Sequence, residues 1–144
     1  MFRTILCPVD PTEPGLEQKA LTVARQLAEQ NGSTIVLLAV VPDMPVMAAE
    51  YLPQDFHQTQ MKETQAALAA LTPALGLPQD RVKLKVRLGR PYHEILEEAD
   101  ASHVDLIVMA SHKPRLSTYL LGSNAAHVVR HAKCSVMALR PEAE

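Results

Sequence analysis

Five stretches of this chain carry apolar residues in the runs or alternations that strands require, and the stretches between them repeat their apolar residues at helical spacing. Residues 3–10 hold Thr4, Ile5, Leu6, Cys7 and Val9, a first buried strand ended by the turn chemistry of Asp10, Pro11 and Thr12. Over residues 13–30, Leu16, Ala20, Val23, Ala24 and Leu27 fall on one helical face, and Asn31-Gly32 marks its stop. Residues 33–41 run from Ile35 to Val41 without a charge, which predicts a second strand covered on both faces. Residues 42–55 are proline-rich and aperiodic, a long loop. Helical spacing returns over 56–75 through Met61, Leu68, Leu71 and Leu75, with Pro73 ending or bending the element.

In residues 81–88, Val82, Leu84, Val86 and Leu88 alternate with Lys83, Lys85 and Arg87, the pattern of a half-solvated edge strand whose cations discourage further pairing. Gly89-Arg90-Pro91 opens a short helix that turns Ile95, Leu96 and Ala99 inward. Leu106 to Ala110 is an unbroken apolar run, a fourth strand. A helix over 123–132 and a last strand over 134–140 follow, and 141–144 form an acidic tail expected to fray.

Strict alternation of strand and helix predicts an α/β fold, a three-layer α/β/α arrangement around a five-stranded parallel sheet. Right-handed crossovers and a polar third strand favour the order 3-2-1-4-5. The first and fourth strands are then neighbours, and the switch point between them brings Asp10 and the loop after Ala110 to one crevice.

Composition narrows the function without naming it. Hydrophobic residues make up 47% and charged residues 21%, ordinary for one globular domain over 1–144, and 14 Lys and Arg against 16 Asp and Glu give a net charge of -2, so no nucleic-acid surface is expected. The start MFRTILCPVD is too short in apolar residues for a secretory signal, and no run approaches the ~18 apolar residues of a membrane span, so a cytoplasmic protein with no membrane partner is expected. Cys7 and Cys134 read as reduced, buried thiols. The five glycines, Gly15, Gly32, Gly76, Gly89 and Gly122, cannot be written into a Walker loop, a G-x-G-x-x-G fingerprint or a G-x-S-x-G elbow.

The candidate chemistry lies in DLIVMASHKPRLSTYLLGSNAAHVVRHA, residues 105–132. It reads as strand, polar and basic loop, then helix, with Gly122-Ser123-Asn124 at the helix start. That corner is either a plain helix cap or an anion site using free backbone N–H groups and a positive dipole end. His127 and His131 share a helix face, but no third ligand accompanies them and a metal there is not expected. Met44 and Met47 either fill gaps or cover a ring.

CPVD at residues 7–10 and ASHKPRLSTYLLGSNAAHVVRHAKCSVMALR at 110–140 together resemble the universal stress protein family, over nearly the whole chain. The resemblance implies a Rossmann-like fold of the adenine nucleotide alpha hydrolase type, a homodimer formed through the last strand (135–140), and in many members ATP binding by a loop G-x2-G-x9-G-[ST]. Ala110 and Lys113 stand at the first two glycine positions here, and eight residues separate Lys113 from Gly122, whereas Gly122-Ser123 matches. The form S-[HR]-x-P…T-x-L-L-G-S-N-A resembles that of small bacterial members to which nucleotide binding is also attributed.

Carried over residue by residue, the resemblance puts base and ribose contacts on Pro8, Val9, Asp10 and Val40. Phosphate contacts fall on Ala110, Ser111, His112 and Lys113, then on Gly122, Ser123 and Asn124, with Met109 beside them. Lys113 and Arg115 add side-chain cations suited to phosphate, and Asp10 suits a ribose hydroxyl or an indirect contact to Mg2+. The expectation is a homodimeric regulator of the stress response that binds ATP, or AMP or ADP, answers to an unidentified protein partner, and turns nucleotide over slowly or not at all. Two alternatives remain open: a dimeric adaptor that needs no nucleotide, and slow ATP hydrolysis or self-phosphorylation on Ser111 or Ser123.

Overall fold

The computed structural model describes residues 1–12, 15, 17–43, 50–111 and 122–140. Its strands are β1 (Thr4–Pro8), β2 (Thr34–Pro42), β3 (Val82–Gly89), β4 (Leu106–Ala110) and β5 (Ser135–Leu139). Its helices are α1 (Gln18–Asn31), α2 (Phe56–Ala69), α3 (Pro91–Ala101) and α4 (Ser123–His131). All pairings are parallel and the sheet order is β3-β2-β1-β4-β5, as the alternation of elements predicts.

The period of two along each strand divides the core into two faces. Ile5, Cys7, Ile35, Leu37, Leu106 and Val108 meet one set of helical residues, Ala20, Ala24 and Ala28 of α1 and Leu68 of α2. Leu6, Val36, Leu38, Ile107 and Met109 meet Ile95 and Ala99 of α3 and Ala125 and Val128 of α4. The alanine stripe of α1 has no bulk to hold it off the sheet, so β1, at the centre, is covered closely. Each fully buried Leu or Ile of this sheet contributes on the order of 1.5–3 kcal/mol.

Several polar contacts set the frame on which the crevice depends. The Asp105 carboxylate accepts the backbone N–H groups of Arg3 (2.8 Å) and Thr4 (3.1 Å), tying the start of β4 to the start of β1 and fixing Ile5 opposite Leu106. Gly32 ends α1 in the left-handed conformation (φ 68), where a Cβ is costly. Arg81 then adds hydrogen bonds to the carbonyls there, donating to Ala28 O (2.6 Å) and Ser33 O (3.0 Å).

The predicted helix over 56–75 is two pieces, α2 and a 3-10 turn at Thr72–Leu75. Pro73 has no N–H to give to Ala69 O, four residues back, and the Thr72 hydroxyl donates to that oxygen instead (2.5 Å).

Two readings of side-chain environment change. Arg87 does not join Lys83 and Lys85 on a solvated edge: its Nε donates to Glu98 Oε1 (2.9 Å) and its Nη1 to Glu94 Oε1 (3.2 Å), both on α3, and Glu98 is buried. Opposite Val40 in register, Arg87 lies at the end of β3 that α3 overlies, whereas the lysines lie nearer the open end. Burial alone pulls the Arg87 guanidinium down, but the hydrogen bonds and charges of Glu98 and Glu94 outweigh it and hold its pKa above the usual value. Cys134 is only half-buried, beside Val136 and Ala132, while Cys7 is fully buried; both are free thiols. Among the described residues no helix is long and apolar enough to cross a membrane.

Candidate functional site

At the carboxyl end of β1, Val9 N donates to Leu38 O (2.8 Å), and the chain then leaves the sheet through an Asx turn. Asp10 Oδ1 accepts both Thr12 N (3.0 Å) and Thr12 Oγ1 (2.6 Å), which leaves Asp10 exposed beyond the carboxyl end of the central strand, with Oδ2 accepting no hydrogen bond among the described residues. Asp10 is thus a turn former and still presents an acceptor to the crevice.

On the other side of the switch point, Ser111 follows β4 and is buried. Its N donates to Leu139 O (2.7 Å), and its Oγ accepts Gly122 N (3.3 Å). Gly122 is the N-cap of α4 with φ -59 and ψ 155, extended backbone open to any residue, so no positive φ calls for glycine there. Among the described residues no side chain caps α4, and its first amide bonded within the helix is Ala126 N, to Gly122 O (2.9 Å). The N–H groups of Ser123, Asn124 and Ala125 therefore have no acceptor within the helix and carry its positive dipole end.

These pieces border a cavity of about 720 Å3, within the size range of small-molecule sites. Pro8, Val9, Asp10, Val40, Met109, Ala110, Gly122, Ser123 and Asn124 all line it. Ser111 is not among the described lining residues, because its hydroxyl is turned to Gly122 N. His112, Lys113 and Arg115, like Met44 and Met47, lie outside the described residues.

The cavity has a wall that the sequence reading did not assign. Gln60, Glu63, Thr64 and Ala67 of α2 line it, as do Glu17 at the start of α1 and Pro91 and Ile95 of α3. The α2 residues sit at i, i+3, i+4 and i+7, one helical face. A signal for them exists: Gln60 and Thr64 precede the fully buried Leu68 by eight and four residues, polar positions in line with a core residue.

Among the described lining residues the charged side chains are three carboxylates, Asp10, Glu17 and Glu63, and the α4 N-terminus adds a positive dipole end beside them. Burial, and secondarily the Glu17 charge, push the Cys7 thiol up to about 12, which keeps it protonated and unreactive at neutral pH. Among the described residues no cluster of His, Cys, Asp and Glu has the makings of a metal site. His127 instead contacts Ser123 O through Nδ1 (2.8 Å) and stacks on Tyr92 (4.4 Å between ring centres).

A doubly wound parallel sheet with a cleft at its switch point and a helix start beside it defines the α/β class of this protein. The sequence profile of the universal stress protein family matches residues 1–140, and the chain belongs to that family. Universal stress protein G of Salmonella typhimurium is 34% identical over 97% of this chain and 100% of its own length. Universal stress protein A homolog 1 of Coxiella burnetii is 27% identical over 96% of both.

Among solved structures, hypothetical protein MJ0577 superposes with a TM-score of 0.81 at 24% identity, covering 100% of this chain and 99% of its own. UspA from Lactobacillus plantarum gives 0.67 at 26%, covering 96% and 97%. A universal stress protein solved in complex with cAMP gives 0.64 at 20%, covering 96% and 97%.

Proposed function

We propose that this protein binds an adenine nucleotide, ATP, ADP or AMP, in the switch-point cavity and acts as a cytoplasmic, homodimeric regulator of the stress response. The observation that carries the reading is the pairing of a roughly nucleotide-sized cavity, about 720 Å3, with three helix-start N–H groups at one end that have no acceptor among the described residues. Phosphate sits at Ser123, Asn124 and Ala125, ribose near Asp10, and the base over Val9, Val40 and Met109. Lys113, Arg115 and His112 act on the phosphates from the loop between Ser111 and Gly122, and Asp10 is the residue suited to an indirect Mg2+ contact. The cAMP complex of a protein of the same fold supports an adenine ligand.

The dimer forms through β5, an edge strand whose Val136, Met137, Ala138 and Leu139 are all half-exposed. That edge also supports the second reading, an adaptor that pairs through β5 and needs no nucleotide. Purified protein that releases adenine nucleotide on denaturation, or binds it at submillimolar affinity by calorimetry, meets the first reading. An intact fold with neither property overturns it. ATP with Mg2+ raises the melting temperature under the first reading and leaves it unchanged under the second. If phosphate is transferred to the protein, Ser123 takes it in preference to Ser111, whose buried hydroxyl already accepts Gly122 N.

A further inference from the structure

A helix begins with four N–H groups that find no partner inside it, those of the N-cap residue and of the first three helical positions. In α4 they belong to Gly122, Ser123, Asn124 and Ala125. The common N-cap residues, Ser, Thr, Asp and Asn, turn a side-chain oxygen onto the N–H of the second or third helical position. Glycine has no side chain with which to do so, and the N–H groups of Ser123, Asn124 and Ala125 keep no acceptor among the described residues. The fourth group is held. Gly122 N donates to Ser111 Oγ (3.3 Å), a residue eleven positions away in the chain.

Ser111 is itself fixed to the sheet. It is 3% exposed, and its N donates to Leu139 O (2.7 Å), which carries the bonding of β4 to β5 one residue beyond the paired Ala110 and Leu139. One rotatable bond separates its hydroxyl from that backbone, so the oxygen has a defined place relative to β4 and β5. The α4 start is thereby located from the sheet through the one N–H that lies before the helix proper. A side-chain cap would locate it by occupying a donor of the first turn.

We infer that Ser111 is a positioning residue of the nucleotide site: by accepting Gly122 N–H it fixes the α4 start and leaves the N–H groups of Ser123, Asn124 and Ala125 to the phosphate, without itself touching the ligand. The inference rests on the adenine-nucleotide reading of the cavity. Gly122, Ser123, Asn124 and Ala125 line that cavity, and Ser111 is not among its described lining residues. Donors already in place when the ligand arrives need no ordering on binding, so release of the bond weakens the part of the ligand that meets α4. Base and ribose meet β1 and β2 instead, at Val9, Asp10 and Val40, and do not register it.

The test joins amide hydrogen exchange, followed by NMR, with calorimetric titration of the full chain by AMP and by adenosine. In free wild type the Gly122 N–H exchanges more slowly than those of Ser123, Asn124 and Ala125, and AMP slows these three. Ser111→Ala weakens AMP about fivefold, the scale of one hydrogen bond, leaves adenosine unchanged, and brings Gly122 exchange up to that of its neighbours.

Equal losses of AMP and adenosine affinity in Ser111→Ala reduce Ser111 to a general structural role and overturn the inference. AMP bound as in wild type, or more tightly because the freed Gly122 N–H joins the phosphate donors, overturns it as well; each of these results leaves the nucleotide reading standing. Wild type that binds neither ligand overturns both together. The exchange comparison in free wild type needs no variant, so a Ser111→Ala chain that fails to fold does not remove the test; a Gly122 N–H that exchanges as fast as the three after it refutes the role of Ser111.

Discussion

Replacing Arg87 by alanine tests how the edge strand is joined to the helix that borders the cavity. Arg87 reaches Glu98 and Glu94 at 2.9 and 3.2 Å, and the side chains of Arg87, Glu94 and Glu98 are 28%, 15% and 5% exposed. Truncation leaves the Glu98 carboxylate buried with the Ser102 hydroxyl as its remaining partner. Breaking a fully buried pair costs about 3–5 kcal/mol. Here the partial exposure of Arg87 admits water to the space it vacates, which lowers the expected loss to about 2–3 kcal/mol. In a chain of this length that is a fall in melting temperature of roughly 6–12 °C, also readable as a shifted urea midpoint at constant m.

The companion double variant, Arg87→Met with Glu98→Gln, removes both charges and keeps a donor and acceptor beside Ser102, so it recovers most of the loss. In 1 M salt the wild-type contribution persists, because a pair this covered is poorly screened. A loss under about 0.5 kcal/mol, or one that disappears in salt, places the pair among ordinary surface contacts and refutes the burial argument.

Gly122→Val abolishes nucleotide binding while the melting temperature stays nearly unchanged, since φ -59 and ψ 155 suit valine and the Gly122 N–H to Ser111 bond survives; a large stability loss with binding retained refutes the assignment. Lys113→Ala weakens ATP more than adenosine in calorimetry, and equal losses for the two ligands contradict a phosphate role for Lys113. Native protein treated with a thiol reagent is modified at half-buried Cys134 and not at Cys7, as mass spectrometry of the peptides reports. Cys7 also gives stability a pH dependence: below about pH 9 both states keep the proton, but from there to about 12 only the unfolded chain loses it. Stability therefore falls by up to about 1.4 kcal/mol per pH unit in that window, a slope that Cys7→Ala removes.

The sheet order was legible because its causes are local. Lys83 and Lys85 mark β3 as an edge, the unbroken runs in β2 and β4 mark strands covered on both faces, and Gly32 and Pro73 stop helices by backbone chemistry that any sequence displays. The β1, β4 and α4 residues that border the cavity follow from that order. The α2 wall does not, because Gln60, Glu63 and Thr64 have the composition of any solvated helix face, and only the lean of α2 over the crevice gives them an inner side. Arg87 escaped for the same reason. Period-two spacing assigns it to a face but not to the portion of that face beneath α3.

The bond from Gly122 N to Ser111 Oγ, with Ser111 N held by Leu139 O, has a consequence for how such a protein diversifies. It clamps the residues on either side of 112–121 to each other and to β5, so the start of α4 is held from outside the intervening segment. Closure entropy changes slowly with length, about 0.6 kcal/mol for a doubling. Insertion, deletion or wholesale exchange of that segment can then alter ligand preference while the anion-receiving helix start stays where it is, which makes the Ser111–Gly122 junction a socket for interchangeable inserts.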